Sequence, residues 1–209
     1  MRKIYFVTLL ILVNLLVKAQ TDTTFWFVAP ESSEHPGVEL DLPISLHFYT
    51  HVLASTITIS QPANPSFVPI IVSMGACSSH TVDLTAFIDS IENKPANQVN
   101  NFGLYIHGTN PFSAYYEING GANGGCGSCN TEFFSLKGKN ALGAAFYVPL
   151  QTSYTNDIYN LHTPVPRSAF DILATENGTN VTVTPTEDIV GHAANIPFSI
   201  TLNRGQTFS

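Results

Sequence analysis

Apolar and polar residues alternate strictly along most of this chain. Leu42, Ile44, Leu46 and Phe48 are interleaved with Pro43, Ser45, His47 and Tyr49, and Ile57 and Ile59 with Thr56, Thr58 and Ser60. The same period of two runs through Phe102, Leu104 and Ile106, then through Phe112, Ala114, Tyr116 and Ile118. Val181 and Val183, followed by Phe198, Ile200 and Leu202, complete the series. Successive side chains of a strand point to opposite faces, so this alternation predicts half-buried antiparallel strands. Turn-forming stretches separate them at residues 61–65, 108–111, 120–127, 176–180 and 191–197. FGLYIHGTNPFSAYYEI is accordingly read as a strand pair turning at Gly108 to Pro111.

One stretch changes period. In TVDLTAFIDSIENKP, Leu84, Phe87, Ile88 and Ile91 recur at the spacing of one helix face, with Asp83 as a cap and Pro95 as a stop. This predicts a single amphipathic helix of two to three turns. The chain also resembles itself. ITISQP (57–62) followed by PIIVSM (69–74) parallels VTVTPT (181–186) followed by PFSITL (197–202). Two tandem β units follow from this, at about 24–150 and 151–209, the second without a closing hairpin and so truncated at the C-terminus.

The N-terminus has a separate purpose. Arg2 and Lys3 precede an apolar run from Ile4 to Val17, and Val17 and Ala19 occupy the positions that signal peptidase reads. The run is shorter than the roughly 20 residues of a membrane-spanning helix. Residues 1–19 are therefore expected to be a cleaved export signal, and residues 20–209 the secreted or cell-surface β domain. Cleavage leaves five Lys and Arg against fifteen acids, a formal charge of −10. That balance argues against a nucleic-acid partner and against attachment to an anionic membrane surface. With 44% hydrophobic and 11% charged residues, the chain can fill a core.

Candidate chemistry is sparse. Cys126 and Cys129 form CGSC, and Cys77 and His80 form CSSH. In an exported chain the expectation is a disulfide, within the CxxC or from Cys77 to one of that pair. A Cys3His zinc site of Cys77, His80, Cys126 and Cys129 is the sharper alternative. His47 and His51 share strand parity, but two ligands without a third do not make a metal site. Asn177-Gly-Thr179 and Asn180-Val-Thr182 match the N-glycosylation pattern and equally suit turn chemistry. No nucleophile elbow, HExxH or phosphate loop is present, so no catalytic residue and no cofactor is assigned. Glu117, Glu132, Asp157 and Asp171 are scattered acids that only a close approach could pair. Trp26 with Tyr115, Tyr147, Tyr154 and Tyr159 could form an aromatic platform for a sugar or protein.

An ordered set of stretches carries a resemblance. It comprises FWFVAPE (25–31), ITISQPANPSF (57–67), TVDLTAFIDSIENKPAN (81–97), GTNPFSAYYEI (108–118), FSLKGKNALGAAFYVPLQ (134–151), FDILATENGTNVTVTPTEDIVGH (170–192) and PFSITLNRGQTFS (197–209). Together they resemble the domain family named for the N-terminal region of the IgGFc-binding protein, including its members in bacterial surface proteins. The resemblance implies an all-β, antiparallel β-sandwich or propeller-like repeat with adhesive or ligand-binding work. It implies an extracellular protein or glycan ligand and no catalytic residues. The glycine-rich loop at 119–130 departs from the short polar turn expected there. A β domain of a carbohydrate-active enzyme and a purely structural spacer are the alternatives. The export reading has a direct check: the intact mass of the exported protein should correspond to a chain starting at Gln20. A mass that retains residues 1–19 would contradict it.

Overall fold

The computed structural model describes residues 20–32, 42–119, 131–150 and 168–209. The strands are β1 (Asp22–Phe27), β2 (Ile44–Thr50), β3 (Ser55–Ser60), β4 (Ile70–Met74), β5 (Ser79–Asp83), β6 (Leu104–Asn119), β7 (Thr131–Ser135), β8 (Ile172–Leu173), β9 (Thr179–Val183), β10 (Phe198–Leu202) and β11 (Thr207–Phe208). Every strand pairing is antiparallel. The all-β, antiparallel expectation with one short helix is met.

Strand β6 organises the seven-stranded sheet. Its first half lies between β1 and β3, and its second half between β2 and β7. Strands β4 and β5 extend the two halves by pairing with β3 and β2. The even-numbered residues Leu104, Ile106, Phe112, Ala114, Tyr116 and Ile118 are all buried. They pack with Phe25, Ile44, Leu46, Phe48, Ile57 and Ile59 into one core. Full burial of each large apolar side chain stabilises the fold by about 1.5–3 kcal/mol.

The expected reversal at Gly108 to Pro111 does not occur: β6 runs straight through as one 16-residue strand. Its pairing changes instead, from Ile57 opposite Gly108 to Thr50 opposite Phe112. Between them the strand is tied to the β2–β3 connection. The Asn110 N–H donates to Ser55 Oγ (3.1 Å), Ser55 Oγ donates to the Asn110 carbonyl (3.0 Å), and Asn110 Nδ2 donates to the Ala54 carbonyl (2.8 Å). Each half of β6 is thus satisfied by other strands, which removes any drive to fold back on itself. Gly108 is required by close approach, because a Cβ there would lie 2.6 Å from the Phe112 ring. That ring packs edge-on against Phe25 at 4.9 Å and Phe48 at 5.6 Å.

The helix is shorter than its periodicity suggested. Thr81 to Asp83 belong to β5, where they pair with β2. A 3-10 turn (Thr85–Phe87) and one α-helical turn, α1 (Ile88–Ile91), follow. The Asp83 carboxylate accepts the Thr85 N–H at 2.8 Å. Hydrogen bonds from Thr85 hold its pKa below the usual value. Leu84 and Ile91 are fully buried.

The self-similar stretches form similar hairpins. Ile57 faces Val72 and Ile59 faces Ile70 across β3–β4, as Val181 faces Ile200 and Val183 faces Phe198 across β9–β10. A second, smaller core holds Ala174, Leu202 and Phe208, with Ile172, Phe198 and Ile200 against it. Phe112 is the test of the point where β6 changes partners. Phe112→Ala should lower unfolding free energy by about 3–5 kcal/mol in urea denaturation. A loss below 1 kcal/mol would show that the two half-sheets do not depend on it.

Candidate functional site

Asn93, immediately after α1, joins the two cores. It is fully buried, and burial of an amide is tolerated only when its polar atoms are matched. Its Nδ2 donates to Asp171 at 2.6 Å, and its Oδ1 accepts from Asn100 Nδ2 (3.1 Å) and from the Thr207 hydroxyl (2.7 Å). Its N–H donates to the Ala29 carbonyl at 2.8 Å. Asn100 and Thr207 also exchange both backbone hydrogen bonds at 2.9 Å. A second buried amide, Gln61, donates to the Ser90 and Phe102 carbonyls. Gly103 and Gly205 meet backbone to backbone at 3.1 Å, and a Cβ on Gly103 would lie 2.7 Å from the Gly205 carbonyl. Gly205 has φ +83° and packs on Pro62 and Ala63, so the β10–β11 turn is seated against the β3–β4 loop.

This seating creates a groove of about 530 Å³ lined by Pro62, Ala63, Asn101, Asn177, Asn203, Arg204 and Gln206. Its amides are oriented by backbone donors. The Arg204 N–H donates to Asn177 Oδ1 (3.0 Å), the Gly178 N–H to Asn203 Oδ1 (3.1 Å), and the Asn203 N–H to Gln206 Oε1 (2.8 Å). Gln206 Nε2 in turn donates to Asn101 Oδ1 at 3.1 Å. A backbone N–H can only donate, so these bonds fix which end of each amide is oxygen. Every side-chain amide oxygen of the groove accepts a hydrogen bond within the site. Among the described residues, the Nδ2 groups of Asn101, Asn177 and Asn203 have no protein acceptor. The groove is rich in donors.

Arg204 forms the edge toward the sheet. Its guanidinium carbon sits 5.1 Å from the centre of the Trp26 ring and 4.8 Å from that of Tyr105. Such placement over aromatic faces is attractive through the ring quadrupole. Trp26 and Tyr105 are register partners of β1 and β6, 4.7 Å apart at their ring centres. His107 continues the row, stacked 6.0 Å from Tyr105. Among the described residues Arg204 makes no ion pair, whereas Lys94 and Lys139 are engaged by Glu92 and Asp22.

The residues singled out from sequence are dispersed. Trp26 joins this groove, but Tyr115 stacks on Phe133 at 5.1 Å on the other half of β6. Tyr147 is fully exposed in the stretch 142–150, and Tyr154 and Tyr159 lie outside the described residues. Cys77 is exposed in the β4–β5 turn and His80 is exposed on β5, while Cys126 and Cys129 lie outside the described residues. Among the described residues no three His, Cys, Asp or Glu side chains are grouped to hold a metal. His47 and His51 take different partners: His47 bridges Glu117 (2.5 Å) and Thr81 (2.9 Å), and His51 lies 3.0 Å from Ser113 Oγ. Of the other acids, Glu132 is exposed on β7, Asp171 binds Asn93, and Asp157 lies outside the described residues. Asn177 of the glycosylation pattern is a groove residue. Asn101, Asn203, Arg204 and Gln206 were not singled out.

The fold and site define an antiparallel all-β module with a loop-built, donor-rich groove. Residues 133–209 match the family model described as IgGFc binding protein. The matched span runs from β7 to β11 and includes Asn177, Asn203, Arg204 and Gln206 of the groove. The family resemblance is borne out over those residues. A search of curated proteins and a search of solved structures each found no match. No helix among the described residues is long and apolar enough to cross a membrane.

The junction has a pH signature. Burial pushes the Asp171 carboxyl up to about 6, the charge of Glu31 adds to the rise, and the Asn93 amide opposes it. The folded state therefore holds a proton that the unfolded chain has already lost, and stability should fall as pH rises from about 4 to 6. Asp171→Asn keeps an oxygen for Asn93 to donate to and removes the charge. Thermal melts should show that slope flattened and the variant more stable at pH 7 by about 1–3 kcal/mol. An unchanged slope would mean that Asp171 is ionised in the fold.

Proposed function

We propose that this chain is an extracellular ligand-binding and adhesion module of a larger secreted or cell-surface protein, exported through residues 1–19. The partner is an extracellular protein or glycan, and the contact surface is the groove beside Arg204. The observation that carries this reading is the groove's inventory. Among the described residues its lining offers side-chain amides and one guanidinium, with no carboxylate, thiol or hydroxyl side chain to act as nucleophile or general base. Such a surface can hold a ligand without transforming it. The match over residues 133–209 to a family named for binding supports the same reading. Loops carried on a rigid sheet are where binding residues concentrate, and here four of them converge.

The alternative of a carbohydrate-active β domain rests on the Glu117–His47–Thr81 chain, which places a hydroxyl on a histidine and the histidine on a carboxylate. One preparation separates the two. The mature chain, immobilised and exposed to Fc fragments and a glycan panel, should show saturable binding that Arg204→Ala weakens at least tenfold, with no released products. Turnover lost in His47→Ala would support the enzyme. Absence of binding to every member of the panel would contradict the module reading.

A further inference from the structure

We propose that the second β unit is an acceptor for one further strand. The occupant is an extended segment of the same polypeptide, built like β6 and placed after β11, and it lies between β8 and β9. The first unit is the template. Strands β8, β9, β10 and β11 repeat β2, β3, β4 and β5 in order and in register. Val181 faces Ile200 where Ile57 faces Val72, and Ile172 faces Phe208 where Phe48 faces His80. The connections agree as well. The Ala174 N–H donates to the Gln206 carbonyl at 3.0 Å, as the Thr50 N–H donates to the Ser78 carbonyl at 2.9 Å. Gly205 has φ +83° at the turn position where Cys77 has φ +51°.

The repeat differs at one place. In the first unit β6 joins the two strand pairs, meeting β3 through Ile57–Ser60 and β2 through Ile44–Thr50. In the second, among the described residues, β9 pairs only with β10 and β8 only with β11. Strands β10 and β11 take the outer places of β4 and β5, so the other edges of β9 and β8 face the position of β6. Such edges are rows of backbone donors and acceptors that another strand satisfies. Side chains show the same difference. Ile57, Ile59 and Phe48 are buried, whereas Val181, Val183 and Ile172 are only half-buried. A separate stretch points the same way. Phe146-Tyr147-Val148 precedes β8 as Trp26-Phe27-Val28 precedes β2. Trp26 and Phe27 belong to β1 and pair with Tyr105 and Leu104 of β6. Phe146, Tyr147 and Val148 are exposed and, among the described residues, in no strand. One strand of β6's pattern supplies partners to β8, β9 and this stretch together. Paired backbone edges with alternate apolar side chains match an extended polypeptide. The repeat's order places it: β6 follows β5, so its counterpart follows β11. The element is one strand rather than a closing hairpin, because β6 is one strand.

Amide hydrogen exchange reads these edges directly. In a chain of residues 20–209, the amides of β8 and β9 that β11 and β10 do not engage should exchange fast. A synthetic peptide with the sequence of β6, Leu104–Asn119, should slow them at least tenfold, saturating at one peptide per chain, and should protect residues 146–148 with them. The same peptide N-methylated at alternate residues should have no effect, because it cannot donate along that edge. In the exported protein as its cells make it, the same amides should be slow without the peptide and unchanged by it. Fast exchange in that protein would overturn the proposal, as would failure of the β6 peptide on the 20–209 chain or equal protection by the N-methylated peptide. A dimer of the 20–209 chain with slow edges would give the site to a second copy and overturn it too. A monomer with edges already slow would do the same, by showing that a segment within residues 20–209 fills the position. None of these outcomes bears on the groove beside Arg204, whose reading stands or falls separately.

Discussion

Most of the structure depends on the pairing of one strand along both of its edges. Over sixteen residues β6 gives its backbone to β1, β3, β2 and β7. Its buried apolar side chains from Leu104 to Ile118 all belong to one cluster, so both half-sheets share one core. Its outward side chains differ along its length: Tyr105 and His107 lie beside Trp26 on one half, and Tyr115 and Glu117 lie beside Phe133 and His47 on the other. A continuous strand that changes partners along its length thereby presents two separate polar–aromatic surfaces. Only the first is joined by the C-terminal hairpins.

That joining is polar, and this explains how a groove survives beside a tightly packed core. Apolar cores close up without voids, whereas a junction built from amides is governed by hydrogen-bond geometry. Asn93 satisfies four segments at once, and the Gly103–Gly205 contact sets how near the β10–β11 turn can come. With that turn seated, the Arg204 N–H and Gln206 Nε2 donate to Asn177 and Asn101, and Asn203 accepts from the Gly178 N–H. The arrangement fixes the orientation of each side-chain amide that lines the groove.

Much of the fold was legible in the sequence because period two leaves a mark wherever one face is buried. The alternations at 44–48, 57–59, 104–106 and 112–118 all correspond to inward residues. The misreading at Gly108 to Pro111 came from weighing turn chemistry above parity. The buried apolar positions are even-numbered on both sides of that stretch, and that continuity was the signal for one uninterrupted strand. The helix was overextended because its first turn, Thr85–Phe87, is 3-10 and the backbone is already extended at Glu92, before Pro95 is reached. The site was less legible. Trp26 was singled out as aromatic, but Asn101, Asn203, Arg204 and Gln206 sit in stretches whose composition says only "turn". Their role depends on four loops meeting, and on backbone donors that fix each amide's orientation. Composition cannot express either.

The central claim is that ligand is held at this junction, and mapping the contact by NMR tests it most directly. Titration of the labelled mature chain with a bound ligand should shift the side-chain amide signals of Asn101, Asn177 and Asn203 and the guanidinium signal of Arg204, with Trp26 following. Shifts confined instead to His47, Tyr115 and Phe133 would place the ligand on the other half of β6 and contradict the account.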